Sequence, residues 1–201
     1  GLAGAASVGA TAPAASAAVA AGLAEAALRA GGEMQLKRLI RHLAFAPWRV
    51  RRAFPKATLQ AIAQAIHAAE QQHGGEIRFA VEGALDLPEL WRGCTARERA
   101  IEVFSHLRVW DTEHNDGVLI YLLLAERDVE IVADRGIHQQ VDAGAWEQVC
   151  RDMEALLRQG RFEDAALQGI AEVSALLARH APLHPAGRRN ELPDWPVVLR
   201  L

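Results

Sequence analysis

Five polar side chains flank one apolar run. Asp111, Glu113, His114 and Asp116 precede Gly117 to Leu124 (GVLIYLLL), and Asp134 follows Val129 to Ala133 (VEIVA), with His138 four residues on. The apolar run has strand length, and Glu126-Arg127-Asp128 reads as the turn of a hairpin that returns VEIVA beside it. In such a hairpin the start of one strand lies next to the end of its partner, so Asp116 and Asp134 are expected at one edge of a sheet. Carboxylates brought together need protons or a cation, and oxygen ligands suit Ca2+ or Mg2+. The expected metal residues are Asp116 and Asp134, followed by Asp111, Glu113 and His114. A plainer use of the same residues is turn capping on a solvated loop.

Other chemistries find no support. Gly117 lacks the partners of a phosphate-binding glycine loop, and no serine sits in a nucleophile elbow. Cys94 has Arg97 and Arg99 nearby without the spacing of a thiolate phosphate cradle. Cys150 shares a helical stripe with Trp146 and Met153, which suits a buried structural thiol. No histidine pair is spaced for zinc on a helix face. No catalytic residue is assigned.

A second polar feature is basic. Between residues 34 and 69 there is no acid, while Lys37, Arg38, Arg41, Arg49, Arg51, Arg52 and Lys56 supply seven positive charges. Leu36, Leu39, Ile40 and Leu43 fall on one helical face, with Lys37, Arg38, Arg41 and His42 away from its centre. Such a helix either lies on an anionic membrane or acidic partner, or docks its apolar face on the protein's own core. Lys37, Arg38, Arg41, Arg49, Arg51 and Arg52 are the candidate partner or membrane surface.

The elements that must carry these residues follow from periodicity. Pro47 is expected to end the basic helix, and Trp48 to Pro55 (WRVRRAFP) reads as an extended connector. A helix is predicted over 56–72, closed by Gly74-Gly75 as a left-handed cap. Glu76 to Glu82 (EIRFAVE) alternates as a strand, with Arg78 on the side away from Ile77, Phe79 and Val81. Thr95 and Glu98 fit a capping box for a helix carrying Ile101, Phe104 and Leu107. Two helices, about 145–159 and 162–180, meet at Gly160. Helices before, between and after strands imply an α/β fold, a three-layer α/β/α sandwich with a small mixed sheet of about four strands covered on both faces.

The chain has 201 residues, 51% hydrophobic and 23% charged, with 22 basic and 25 acidic side chains. That suits one packed domain with tails and excludes a uniformly basic nucleic-acid binder. Two cysteines exclude a disulfide-dense scaffold. No apolar stretch reaches the roughly 20 residues of a membrane-spanning helix. The expected divisions are an Ala/Gly-rich flexible leader over 1–33, with Met34 as the natural start, and a basic segment over 34–54. The domain follows over 55–180, and then a Pro-rich tail over 181–201, loose but able to dock through Trp195 and Val197.

The run His114 to Leu124 (HNDGVLIYLLL), then Val129 to His138 (VEIVADRGIH), then Trp146, resembles the TPM domain family, with agreement in element order over about 51–180. The resemblance implies an α/β/α sandwich, in relatives often exported or membrane-attached, with a divalent-cation site at this sheet edge. It also implies, for some members, weak acid phosphatase activity. It supplies no agreed nucleophile. An Arg-rich segment before the domain, without a signal peptide or a C-terminal anchor, favours a cytoplasmic protein with peripheral membrane attachment.

Two functions are compatible with these residues. One is a non-catalytic accessory domain that binds Ca2+ or Mg2+ at the acidic loop and docks a protein partner or anionic membrane through the basic helix. The other is a metal-assisted phosphatase in which Asp116 and Asp134 hold the cation and His114 or His138 protonates the leaving group. Nucleic acid is not an expected partner, since the basic segment carries few aromatics.

Overall fold

The computed structural model describes residues 32–33, 35–183 and 190–199. The chain forms two units, residues 1–40 and 41–201. In the first, residues 32–33 and 35–40 are helical, and Leu36 and Ile40 are 56% and 55% exposed. The rest of the expected leader, and Met34, lie outside the described residues.

In the second unit, residues 41–43 are helical, with Leu43 exposed and His42 buried. Of the expected apolar stripe, Leu36, Ile40 and Leu43 therefore do not enter a core. The expected connector is a helix, α1 (Trp48–Ala53), and α2 follows at Lys56–Glu70. Pro47 and Pro55 are the N-cap residues of these two helices. A proline's missing N–H costs nothing at a helix start, so both prolines open helices where the sequence suggested an extended link. Val50 and Phe54 are thereby buried.

The sheet has the order β3-β2-β1-β4, from β1 (Glu76–Glu82), β2 (Gly117–Leu123), β3 (Asp128–Ala133) and β4 (Val197–Leu199). β1 runs parallel to β2 and to β4, and β2–β3 is the antiparallel hairpin, with Val118 opposite Ala133. The short α3 (Leu87–Trp91) and then α4 (Ala96–His106) connect β1 to β2. After β3 come the one-turn α5 (Arg135–His138), α6 (Ala143–Arg158) and α7 (Phe162–His180).

Alternation along the strands divides the core in two. Ile77, Phe79, Val81, Val118, Ile120 and Leu122 pack with α1, α2, α6 and α7. Ala80, Leu119, Tyr121 and Leu123 pack with α4 through Ala96, Ala100, Val103 and Phe104. The result is the expected three-layer α/β/α sandwich on a four-stranded mixed sheet. The Thr95–Glu98 capping box forms, with Thr95 Oγ1 accepting from the Glu98 N–H at 3.1 Å and Glu98 Oε2 from the Thr95 N–H at 2.8 Å. Ile101, expected on the core stripe, is 47% exposed, and Ala100 and Val103 take that face.

Three further expectations change. Gly74 and Gly75 do not have positive φ, and α2 ends on Gln71 in the right-handed region. Gly75 is needed for space instead: a Cβ there would lie 2.8 Å from Leu177 Cδ2. All seven residues of β1 are buried, Arg78 among them. Its guanidinium donates to the carbonyls of Pro193 and Trp195, and Glu76 Oε2 accepts from the Leu192 N–H at 3.2 Å. These bonds hold residues 190–199 along the sheet, so this part of the expected loose tail is an edge strand and its approach.

Candidate functional site

The loop before β2 carries the polar cluster. Asp111, Glu113 and His114 are exposed, and Asp116 is 6% exposed. The Asp116 N–H donates to Thr112 Oγ1 at 3.1 Å, and the Asp116 carbonyl accepts from the Glu76 N–H at 3.4 Å. The loop backbone is therefore tied both to itself and to the start of β1.

Asp116 opens on a cavity of about 310 Å3, which His114, Gly136, Ile137, Gln140, His180 and Pro182 help to line. Burial raises its carboxyl above the ordinary carboxylate range, and the nearby Glu191 adds to this. Hydrogen bonding to Thr112 and the charge of His114 act in the opposite direction. A carboxyl in that state gains from a cation that replaces lost hydration.

Asp134 has different surroundings. It is also 6% exposed, and its N–H donates to the Gly117 carbonyl at 2.8 Å, so the two aspartates' backbones meet at one sheet edge as expected. Their carboxyl groups do not share the cavity. Asp134 Oδ1 accepts from the Arg135 N–H at 2.7 Å and caps α5, while Oδ2 is enclosed with no hydrogen-bond partner. The register explains the separation. Val118 and Ala133 pair and face the α6–α7 layer, so Asp116, two residues before Val118, belongs to that face and Asp134 to the other. Among the described residues no three His, Cys, Asp or Glu side chains converge as a metal-binding group.

The other expected residues lie elsewhere. His138 lines a separate cavity of about 490 Å3 beside β3, with Asp128, Glu130, Cys150 and Glu154. Cys150 is half-buried, its thiol pushed up to about 12 by burial and by Glu130, which suits an inert thiol. Lys37 is exposed and Arg38 half-buried in the first unit. In the second, Arg41, Arg49, Arg51 and Arg52 are exposed. Arg41, Arg49 and Arg52 line a cavity at the far end of β2 from Asp116, together with Arg127 and Arg158. Sequence reasoning missed His180 and Gln140 at the Asp116 cavity and Arg127 and Arg158 at the far one, because only the folded chain brings them there.

The TPM domain family profile matches residues 51–176. Among solved structures, the NMR structure of BA42 protein from the psychrophilic bacterium Bizionia argentinensis is similar, with 27% identity and a TM-score of 0.62 over 71% of this chain and 93% of that one. The N-terminal domain of a P. gingivalis protein shares the fold, with 17% identity and a TM-score of 0.51 over 64% of this chain and 80% of that one. Comparison with curated proteins finds no match.

Proposed function

Since the chain belongs to the TPM domain family, we propose that it is an accessory module whose Asp116 cavity takes a hydrated divalent cation. The observation that carries this reading is the buried Asp116 carboxyl, held above its ordinary range on an open cavity. The residues present suit such an ion. Asp116 supplies a carboxylate, Gln140 an amide oxygen and His114 an imidazole on the same wall. So few protein oxygens leave the ion most of its water, which suits Mg2+ or a weak Ca2+ site with Kd on the order of 10−4 to 10−3 M.

The test is calorimetric titration of metal-free protein with Ca2+ and then Mg2+, beside Asp116→Asn and Asp134→Asn. Asp116→Asn is expected to abolish the heat and Asp134→Asn to weaken it less. Equal binding in wild type and Asp116→Asn, or none in wild type, refutes the site. His114 and His180 on the same wall support a second reading, metal-assisted phosphate-ester hydrolysis, with either imidazole as proton donor. Turnover that survives Asp116→Asn removes it. For the membrane side of docking, no helix among the described residues is long and apolar enough to cross a bilayer.

A further inference from the structure

A further cavity lies at the other end of β2. It has a volume of about 890 Å3 and brings together Arg41, Arg49, Arg52, Arg127 and Arg158 with the aromatic rings of Phe45, Trp48 and Phe162. Arg49 and Arg52 are three residues apart on α1 and so share a helix face. Arg127 stands in the β2–β3 turn at φ +55. Arg158 closes the last turn of α6.

The charge of this wall is poorly compensated. Its one acid, Glu126, is already engaged: His42 Nε2 donates to Glu126 Oε1 at 2.6 Å. The His42 tautomer follows from geometry, because Nδ1 accepts from the Leu85 N–H at 2.9 Å and the ring proton must then sit on Nε2. Arg158 pairs with Glu154 at 2.5 Å. Arg41, Arg49, Arg52 and Arg127 form no ion pair with a carboxylate among the described residues. Four guanidiniums around one concavity repel one another and focus a positive field into it. A phosphate ester carries about −1.5 to −2 at neutral pH, so four guanidiniums match two or more linked phosphoryl groups. Guanidiniums also suit the ligand in shape, since their forked donors bind phosphoryl oxygens in pairs.

The aromatic side chains divide the cavity further. Arg49 lies over the Phe45 ring, 5.7 Å from its centroid. Among the described residues neither a ring nor a cation lies over Trp48, which is 58% exposed on the same wall. An exposed indole beside a phosphoryl-binding wall offers a stacking surface for a planar base. We propose that this cavity binds a nucleoside di- or triphosphate, with the phosphoryl chain on Arg41, Arg49, Arg52 and Arg127 and the base on Trp48. The site is independent of the cation reading, since Asp116 lies at the opposite end of the same strand.

The test titrates the full chain with ADP, ATP, AMP and pyrophosphate at 0.15 M salt, following calorimetric heat and tryptophan fluorescence. Vesicles carrying a phosphoinositide form a separate arm. ADP and ATP should bind with micromolar Kd and AMP at least tenfold more weakly. Arg52→Ala and Arg127→Asn should each lose about tenfold, Trp48→Ala about fivefold, and Asp116→Asn nothing. All of these side chains except Asp116 are exposed, and asparagine tolerates positive φ, so the cavity variants should fold. No binding of ADP or ATP below 1 mM, or equal binding by the arginine variants, overturns the proposal. Pyrophosphate binding as tightly as ADP, or vesicles binding while soluble nucleotides do not, overturns it as well.

Discussion

Replacing Arg99 by methionine should cost this domain a large part of its stability, and the structure shows why. Glu82 lies on β1 with its side chain fully buried, where Arg99 and Tyr121 meet it. Arg99 Nε donates to Glu82 Oε2 at 2.8 Å and Nη2 to Oε1 at 3.0 Å, a bidentate pair across from α4. The Tyr121 hydroxyl donates to Oε2 at 2.7 Å. Arg99 Nη1 also lies 3.3 Å from Glu89 and 3.0 Å from Glu102. Burial alone would lower the Arg99 pKa, but the hydrogen bonds and charge of Glu82 more than offset it, and the pKa is raised. Burial, and then the charge of Glu82, also push the Tyr121 hydroxyl well above its ordinary value. Methionine keeps most of the volume but takes the bidentate guanidinium away from the buried Glu82 carboxylate. Stranding a buried charge in this way costs about 3–5 kcal/mol, against the roughly 5–15 kcal/mol that holds a domain folded. The assay is guanidinium unfolding followed by circular dichroism, with Glu82→Gln and the double variant completing the cycle. The double variant should recover part of the loss, because it removes the stranded charge. A deficit below 1 kcal/mol, or one independent of Glu82, refutes the account.

Two more outcomes follow from single residues. Burial, followed by the charges of Glu130, Glu154 and Glu126, pushes the Asp128 carboxyl up to about 7. The folded state therefore holds a proton that the unfolded chain releases near pH 4, and stability should fall as pH rises from about 4 to 7. Asp128→Asn should flatten that slope in melting temperature and add about 1–2 kcal/mol at pH 8; an unchanged slope excludes the cause. In Gly117→Ala, the new Cβ would stand 2.0 Å from the Val109 carbonyl oxygen, which is backbone and cannot swing aside. A loss of about 3 kcal/mol or more is expected in guanidinium unfolding, and a loss below 1 kcal/mol would show that the close approach is not real.

Local signals carried much of the architecture. The uninterrupted apolar run of β2 and its turn marked the hairpin, Thr95 and Glu98 marked the start of α4, and Gly160, at φ +77, separates α6 from α7 as expected. What failed depended on long-range contact. α1 was hidden because prolines at both ends suggest an extended link, although each proline also suits a helix start. β4 has three residues and becomes a strand only by pairing with β1. Arg78 looked solvent-facing because the segment that covers it lies more than a hundred residues away. At the acidic loop, hairpin logic placed the backbones of Asp116 and Asp134 together, but side-chain direction depends on register. One residue of offset sends two carboxylates to opposite faces. Of the arginine cavity, the basic segment showed Arg41, Arg49 and Arg52, while Arg127 and Arg158 join them only after the sheet forms.

The Asp116 site owes its form to close backbone packing more than to the acidic cluster that first drew attention to it. A Cβ on Gly75 would lie 3.2 Å from the Asp116 carbonyl oxygen, one on Gly117 2.0 Å from the Val109 oxygen, and one on Gly136 2.6 Å from the Asn115 oxygen. The backbone is therefore packed closely around the loop that carries Asp116, so that a Cβ on Gly117 or Gly136 would overlap backbone atoms and one on Gly75 would press on the Asp116 carbonyl. None of the three glycines has a positive φ, so they are needed for space and not for backbone conformation. Packing this tight fixes the Asp116 backbone while its carboxyl opens on the cavity, the arrangement on which the proposed cation site rests. Asp134 shows the contrast at the same edge. Its Oδ1 caps a single helical turn, and the tight approach of Gly136 holds that turn against the loop. The two aspartates thus differ in surroundings, one capping the turn that forms the cavity wall and the other opening on the cavity itself.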